Sequence, residues 1–214
     1  MSDGPSNPLP GVPASLVDRA KNIVLQPKSE WVKIEAEPAT IGGIYTSYVM
    51  ILAAIPAVAT LIGLLLFMPR TPDVAVALGQ ALGVPMITTT SIVVGAVVQY
   101  ALSLASVYVM ALIIDGLAPS FGGTKDSLKA FKVAAYFPTA SWIAGILMLF
   151  PALAPIALLA GLYSLYLLYL GLPILMKAPE DKLIVYFIVV LVLAIVVLGV
   201  VNMIASRITY GGMF

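Results

Sequence analysis

Charge falls along this chain in short clusters separated by long bare stretches. No Asp, Glu, Lys or Arg occurs from Pro38 to Pro69, from Val74 to Ile114, from Val133 to Met176, or from Leu183 to Ser206. Each gap exceeds the ~20 apolar residues that cross a bilayer core, so the pattern predicts an all-α polytopic membrane bundle. The first span, about 44–67, is closed by Met68, Pro69 and Arg70. Because the second gap is too long for one straight helix, Pro85 is taken to divide it into a short piece, Val74 to Val84, and a span over 86–114. The short piece reads as an interfacial or partly re-entrant segment. Two spans, 132–150 and 153–175, fit the third gap as a helical hairpin turned by Pro151 and Pro155. The fifth, 183–205, is largely Val, Leu and Ile. Together they make a five-helix membrane domain over 41–207, followed by a tail at 208–214.

Before the spans, residues 1–14 are rich in Pro, Gly, Ser and Asn and read as a disordered tail. Residues 15–40 read as a cytoplasmic amphipathic segment: Leu16, Val17, Ala20, Ile23 and Val24 fall at helical spacing opposite Asp18, Arg19, Lys21 and Asn22. Pro27 interrupts, Ser29 is placed to cap a second short helix, and Trp31 with Ile34 gives that helix an apolar edge. Two resting places are open. Either the helices lie among the headgroups with Trp31 as an interfacial anchor, or they pack on the cytoplasmic ends of the bundle. The first forty residues carry no basic stretch followed by an apolar one, so no cleavable signal is expected and the first span stays as an anchor.

The loops set the orientation. Arg19, Lys21, Lys28, Lys33, Lys125, Lys129, Lys132, Lys177 and Lys182 fall on one side, and only Arg70 and Arg207 on the other. Basic residues are retained in the cytoplasm, which places the N-terminus inside and the C-terminus outside.

Composition narrows the chemistry. The chain is 61% hydrophobic and 10% charged, with a formal net charge of +1, against roughly 25% charged in a soluble domain. Nothing in that balance suits nucleic acid. The absence of Cys and His removes thiolate nucleophiles, imidazole bases, disulfides and the usual zinc and haem ligands, so no cofactor is expected. No phosphate-binding loop, nucleophile elbow or carboxylate pair appears, and FGG at Phe121 to Gly123 lacks the lysine and threonine of a P-loop.

None of the five spans has a charge at its middle, where ion-coupled pumps usually keep one. Asp115, beside Gly116, reads as a solvated or helix-end residue, with a gating or ion site as the sharper alternative. In the second span Thr88, Ser91, Gly95, Gln99, Ser103 and Ser106 make a polar stripe, read either as helix packing or as a polar passage or lipid-headgroup groove. The fourth presents Tyr163, Tyr166 and Tyr169 beside Gly161, Ser164 and Gly171, as for contact with a neighbouring helix. Pro56, Pro138 and Pro173 lie in or at the ends of spans.

Four stretches carry a resemblance: PKSEWVKIEAEPAT, FGGTKDSLKAFKVAAYFPTA, LYSLYLLYLGLPILMKAPEDK and the last span. Together they resemble the Yip family of five-span membrane proteins, named for interaction with Ypt and Rab GTPases, and most of all its bacterial branch. The family-like residues are Pro27, Trp31, Glu37, Pro38, Gly122, Gly123, Pro138, Pro179, Glu180, Asp181 and Lys182, all but Pro138 expected on or near the cytoplasmic face. The resemblance implies five helices, a cytoplasmic N-terminus and membrane organisation through oligomers and GTPase contacts. The N-terminal segment here is short, which argues against a GTPase partner. For the bacterial branch it implies an inner-membrane protein, with transport as one suggested role. Pro179 to Lys182 reads as a turn capping the last span or as a docking surface.

The reading is therefore a non-catalytic membrane organiser whose partners are membrane lipids and another copy or a different membrane protein. A passive transporter or channel for an ion, lipid or small polar solute is the second reading, and a subunit of a larger membrane complex the third.

Overall fold

The computed structural model describes residues 15–67, 81–82 and 88–210. The predicted tail at 1–14, nearly all of the short piece Val74 to Val84, Pro85, and residues 211–214 lie outside them. Every regular element among the described residues is helical.

Two short helices come first. α1 (Leu16–Leu25) is capped by Ser15, whose hydroxyl accepts the Asp18 N–H, and α2 (Pro27–Ala36) opens on a proline, which needs no hydrogen bond at that position. Gln26 joins them. Glu37 is extended, as a residue before proline must be, and so Pro38 stops α2. Thr40 then caps the next helix through the Gly43 N–H at 3.1 Å.

Among the described residues five helices are long and apolar enough to cross a membrane. α3 (Ile41–Phe67) contains a π-turn at Tyr45–Val49 and Pro56 within it. α4 (Thr89–Leu117) starts from a Thr88/Ser91 capping box and runs into a 3-10 turn, Ala118–Phe121. α5 (Ser127–Leu149) is broken at Phe137 and Pro138 and tightens to 3-10 geometry over Gly145–Leu149. A further 3-10 turn, Pro151–Leu153, leads into α6 (Ala154–Met176), and α7 (Glu180–Tyr210) ends the described chain.

Some boundaries differ from the sequence reading. α5 begins at Ser127 rather than near 132, because the Asp126 carboxylate caps it through the Lys129 N–H at 3.0 Å and draws Lys129 and Lys132 into the helix. α7 passes 205 and reaches Tyr210, so residues 208–210 are helix rather than tail; Arg207 in the last turn suits the helix C-terminus.

The tightest core lies at one end of the bundle, where Trp31, Ile34, Phe131, Leu168, Leu172, Leu175 and Tyr186 are all within 1% of complete burial. Ile184, Ile188, Val192, Ile195 and Val196 of α7 stay exposed instead. An apolar surface of that extent suits lipid rather than water.

Candidate functional site

α1 and α2 fold back as a hairpin against α5 and α6. Arg19, in α1, is almost wholly buried and is held by two acids, Glu30 at 2.6 Å and Glu37, while its guanidinium lies over the Tyr136 ring. A buried charge is tolerated only when paired in this way. Lys33 approaches the other Glu30 oxygen at 3.3 Å. Lys132, also buried, donates from its ammonium to the carbonyls of Ile34 and Glu37, each at 2.6 Å. These carbonyls end α2, so a lysine from α5 caps the helix and neutralises its negative end.

Packing continues what the charges begin. The Trp31 indole lies against Gly171 of α6, with its edge toward Tyr136. At the far end of the hairpin the Tyr163 hydroxyl donates to the Val24 carbonyl at 2.6 Å. Glu35 closes the near end between Lys129 at 2.7 Å and Lys177 at 3.3 Å. Lys129 and then Lys177 hold the Glu35 carboxyl below its ordinary value.

The expectation for Trp31 as an interfacial anchor is therefore corrected. Its ring is fully buried between α2, α5 and α6 because a glycine on α6 leaves room for it. Of the two resting places open to the N-terminal helices, the structure has the one in which they pack on the bundle.

A second cluster joins the glycine loop to the start of α7. Gly122 takes a left-handed backbone, φ 76°, against the Pro179 ring, and a Cβ on Gly123 would come within 2.7 Å of the Met176 carbonyl. That carbonyl accepts the Thr124 N–H at 2.7 Å. Phe121 stacks on Tyr186, whose hydroxyl donates to the Ile114 carbonyl at 2.6 Å. Glu180 and Asp181 occupy the first turn of α7, and Lys182 lies near Gly122 and closes a turn onto the Pro179 carbonyl at 3.1 Å. Asp115 is buried rather than solvated; it accepts from the Ser127 hydroxyl at 2.9 Å, which fastens α4 to α5. Pro138 sits at the break of α5, where Thr139 donates to the Tyr136 carbonyl and meets the Tyr48 hydroxyl at 2.8 Å.

The polar stripe of α4 divides. Thr88 and Ser91 cap the helix, and Ser103 and Ser106 bond back to the carbonyls of Tyr100 and Ser103. Ser91, Gly95, Gln99 and Ser103 also line a groove of about 540 Å³ between α3, α4 and α7, opposite Thr60, Asn202, Ser206 and Thr209. Among the described residues that line it none is charged. Tyr163 is engaged by α1, whereas Tyr166 stays 41% exposed. Among the described residues no group of three His, Cys, Asp or Glu could hold a metal.

The buried ion cluster is a feature that the sequence missed, whereas the groove is one of the two readings that the α4 stripe had left open. The one local signal for the first was Arg19 seven residues before Gln26, a turn that folds it back onto Glu30.

The family profile described as the Yip1 domain matches residues 21–201. Among curated proteins, the "Inner membrane protein YohC" of Escherichia coli K12 is 28% identical over 159 residues, covering 73% of this chain and 77% of that protein. The protein of the same name from Escherichia coli O6:H1 matches to the same extent. No solved structure matches.

Proposed function

The chain belongs to the Yip1 domain family and is a multi-pass membrane protein, and from that premise we propose that it is a non-catalytic organiser of the bacterial inner membrane. One observation carries the reading. Among the described residues the buried charged groups are spent on structure: Arg19 with Glu30 and Glu37, Lys132 with the carbonyls of Ile34 and Glu37, and Asp115 with Ser127. What they build is a cap of α1 and α2 fixed to α5 and α6. A fixed cap offers partners a preorganised surface, and preorganisation lowers the ordering cost of binding.

In this reading the cap faces the cytoplasm, and a reporter fused after Phe214 reads outside. Affinity purification of the intact protein from native membranes tests the role. A second copy, another membrane protein or tightly held lipid is expected to accompany it; a bare monomer in repeated preparations contradicts the role.

The groove favours one alternative, passive passage of a neutral polar solute or a lipid. Its largely apolar wall carries hydroxyl and amide groups, Gln99 and Asn202 among them, that can hydrogen-bond an uncharged polar head, and among the described residues it holds no charge for an ion.

A further inference from the structure

The hairpin of α1 and α2 has two faces. Arg19, Ile23, Glu30, Trp31 and Ile34 are buried on the inner one. On the outer one Val17, Leu25 and Val32 are exposed by 69%, 66% and 57%, and Lys21, Lys28 and Lys33 are exposed beside them. Among the described residues Lys21 and Lys28 make no ion pair, and Lys33 reaches Glu30 at 3.3 Å. Asp18 is the acid exposed on α1, and it accepts the Ser15 hydroxyl at 2.6 Å. The outer face is thus apolar and cationic together.

Its height along the bundle says what it meets. Glu35 pairs with Lys177, Trp31 lies on Gly171, and Val24 is bonded by Tyr163. The hairpin therefore lies along α6 between Lys177 and Tyr163, with arms of ten residues each, roughly 15 Å at the rise of a helix. α6 is one of the helices long and apolar enough to cross a membrane, so a hairpin laid along its Lys177 end meets the bilayer surface with its tip at Leu25 and Lys28 turned toward the core. Lysines whose stems cross an apolar surface carry their ammonium groups up to the phosphates.

We propose that this outer face, with Lys21, Lys28 and Lys33 set around Leu25 and Val32, binds anionic phospholipid headgroups of the cytoplasmic leaflet while the hairpin tip wedges among the acyl chains. This rests on the organiser reading with its cap facing inward, and it names the lipid class that the cap recognises. Each lysine near an anionic surface contributes roughly a fivefold preference.

The test uses the full chain in mild detergent, offered phosphatidylglycerol or phosphatidylcholine of the same acyl composition and read by native mass spectrometry. The wild type holds phosphatidylglycerol in preference, and Lys21→Gln/Lys28→Gln/Lys33→Gln loses that preference by about tenfold or more. A control, Lys125→Gln/Arg207→Gln, keeps it. If the triple variant does not fold, raising the salt on the wild type to ~1 M gives the same answer, because screening must abolish the preference. The proposal is overturned if the wild type shows no preference, if the triple variant keeps it, or if the control loses it equally. It is overturned too if the triple variant keeps its lipid and turns a dimer into a monomer, which would assign the face to a second copy. None of these outcomes touches the organiser role, which fails instead on the native-membrane purification.

Discussion

Trp31 on α2 and Gly171 on α6 share one space: a Cβ on Gly171 would come within 2.9 Å of the Trp31 ring. Residues 140 positions apart in sequence therefore set the distance between the N-terminal hairpin and the membrane bundle.

Gly171→Ala is expected to destabilise the protein by about 1–3 kcal/mol through overpacking, and Trp31→Ala by about 3–5 kcal/mol through the cavity it leaves. Thermal unfolding in detergent measures both. Because the two sites touch, Gly171→Ala combined with Trp31→Phe should cost less than the sum of the single changes.

Arg19→Gln leaves Glu30, whose side chain is 1% exposed, with Lys33 at 3.3 Å as its remaining ion pair, and is expected to cost about 3 kcal/mol, the lower end for breaking a buried pair. Limited proteolysis should then cut within residues 15–37 at protease levels that the wild type resists. Replacing Arg19 and Glu30 together with methionine removes the buried charge and should be milder than Arg19→Gln.

Glu35 gives the hairpin a pH dependence of defined sign. Its carboxyl is held below the ordinary value of 4.5, so its contribution is fully present above pH 4.5 and is lost as pH falls through the lower folded value. Melting curves of wild type and Glu35→Gln should differ at neutral pH and converge in acid. A difference that grows on acidification would contradict the assignment.

Gly122→Ala places a side chain on a left-handed backbone against Pro179 and is expected to cost roughly 1–2 kcal/mol. Gly123→Ala should cost more, since its Cβ meets the rigid Met176 carbonyl and disturbs the Thr124 bond to it. Differential stability of the two variants in detergent checks the order.

The five helices were legible because a span is a local property: a run of apolar residues from Leu183 onward must be helical and must lie in lipid whatever surrounds it. Caps were read less well: Ser29, expected to cap α2, lies inside it with its hydroxyl donating to the Gln26 carbonyl, and the start of α5 was placed too late by passing over Asp126. The cap itself was not legible. Lys132 meets the Ile34 carbonyl 98 residues away, and no periodicity in either segment announces the other. Trp31 misled for a related reason, since tryptophan near a span usually marks the interface and only Gly171 makes room for it inside. The stripe of α4 was visible, but whether Gln99 faced a helix or a groove depended on where α7 placed Asn202 and Ser206.

Reconstitution in liposomes tests the central claim most directly, because the organiser role and passage through the groove differ in whether anything crosses. The account predicts that flux of ions, lipids and small neutral solutes stays at the level of protein-free vesicles. A flux above that level, reduced when Gly95→Leu fills the groove, would contradict it.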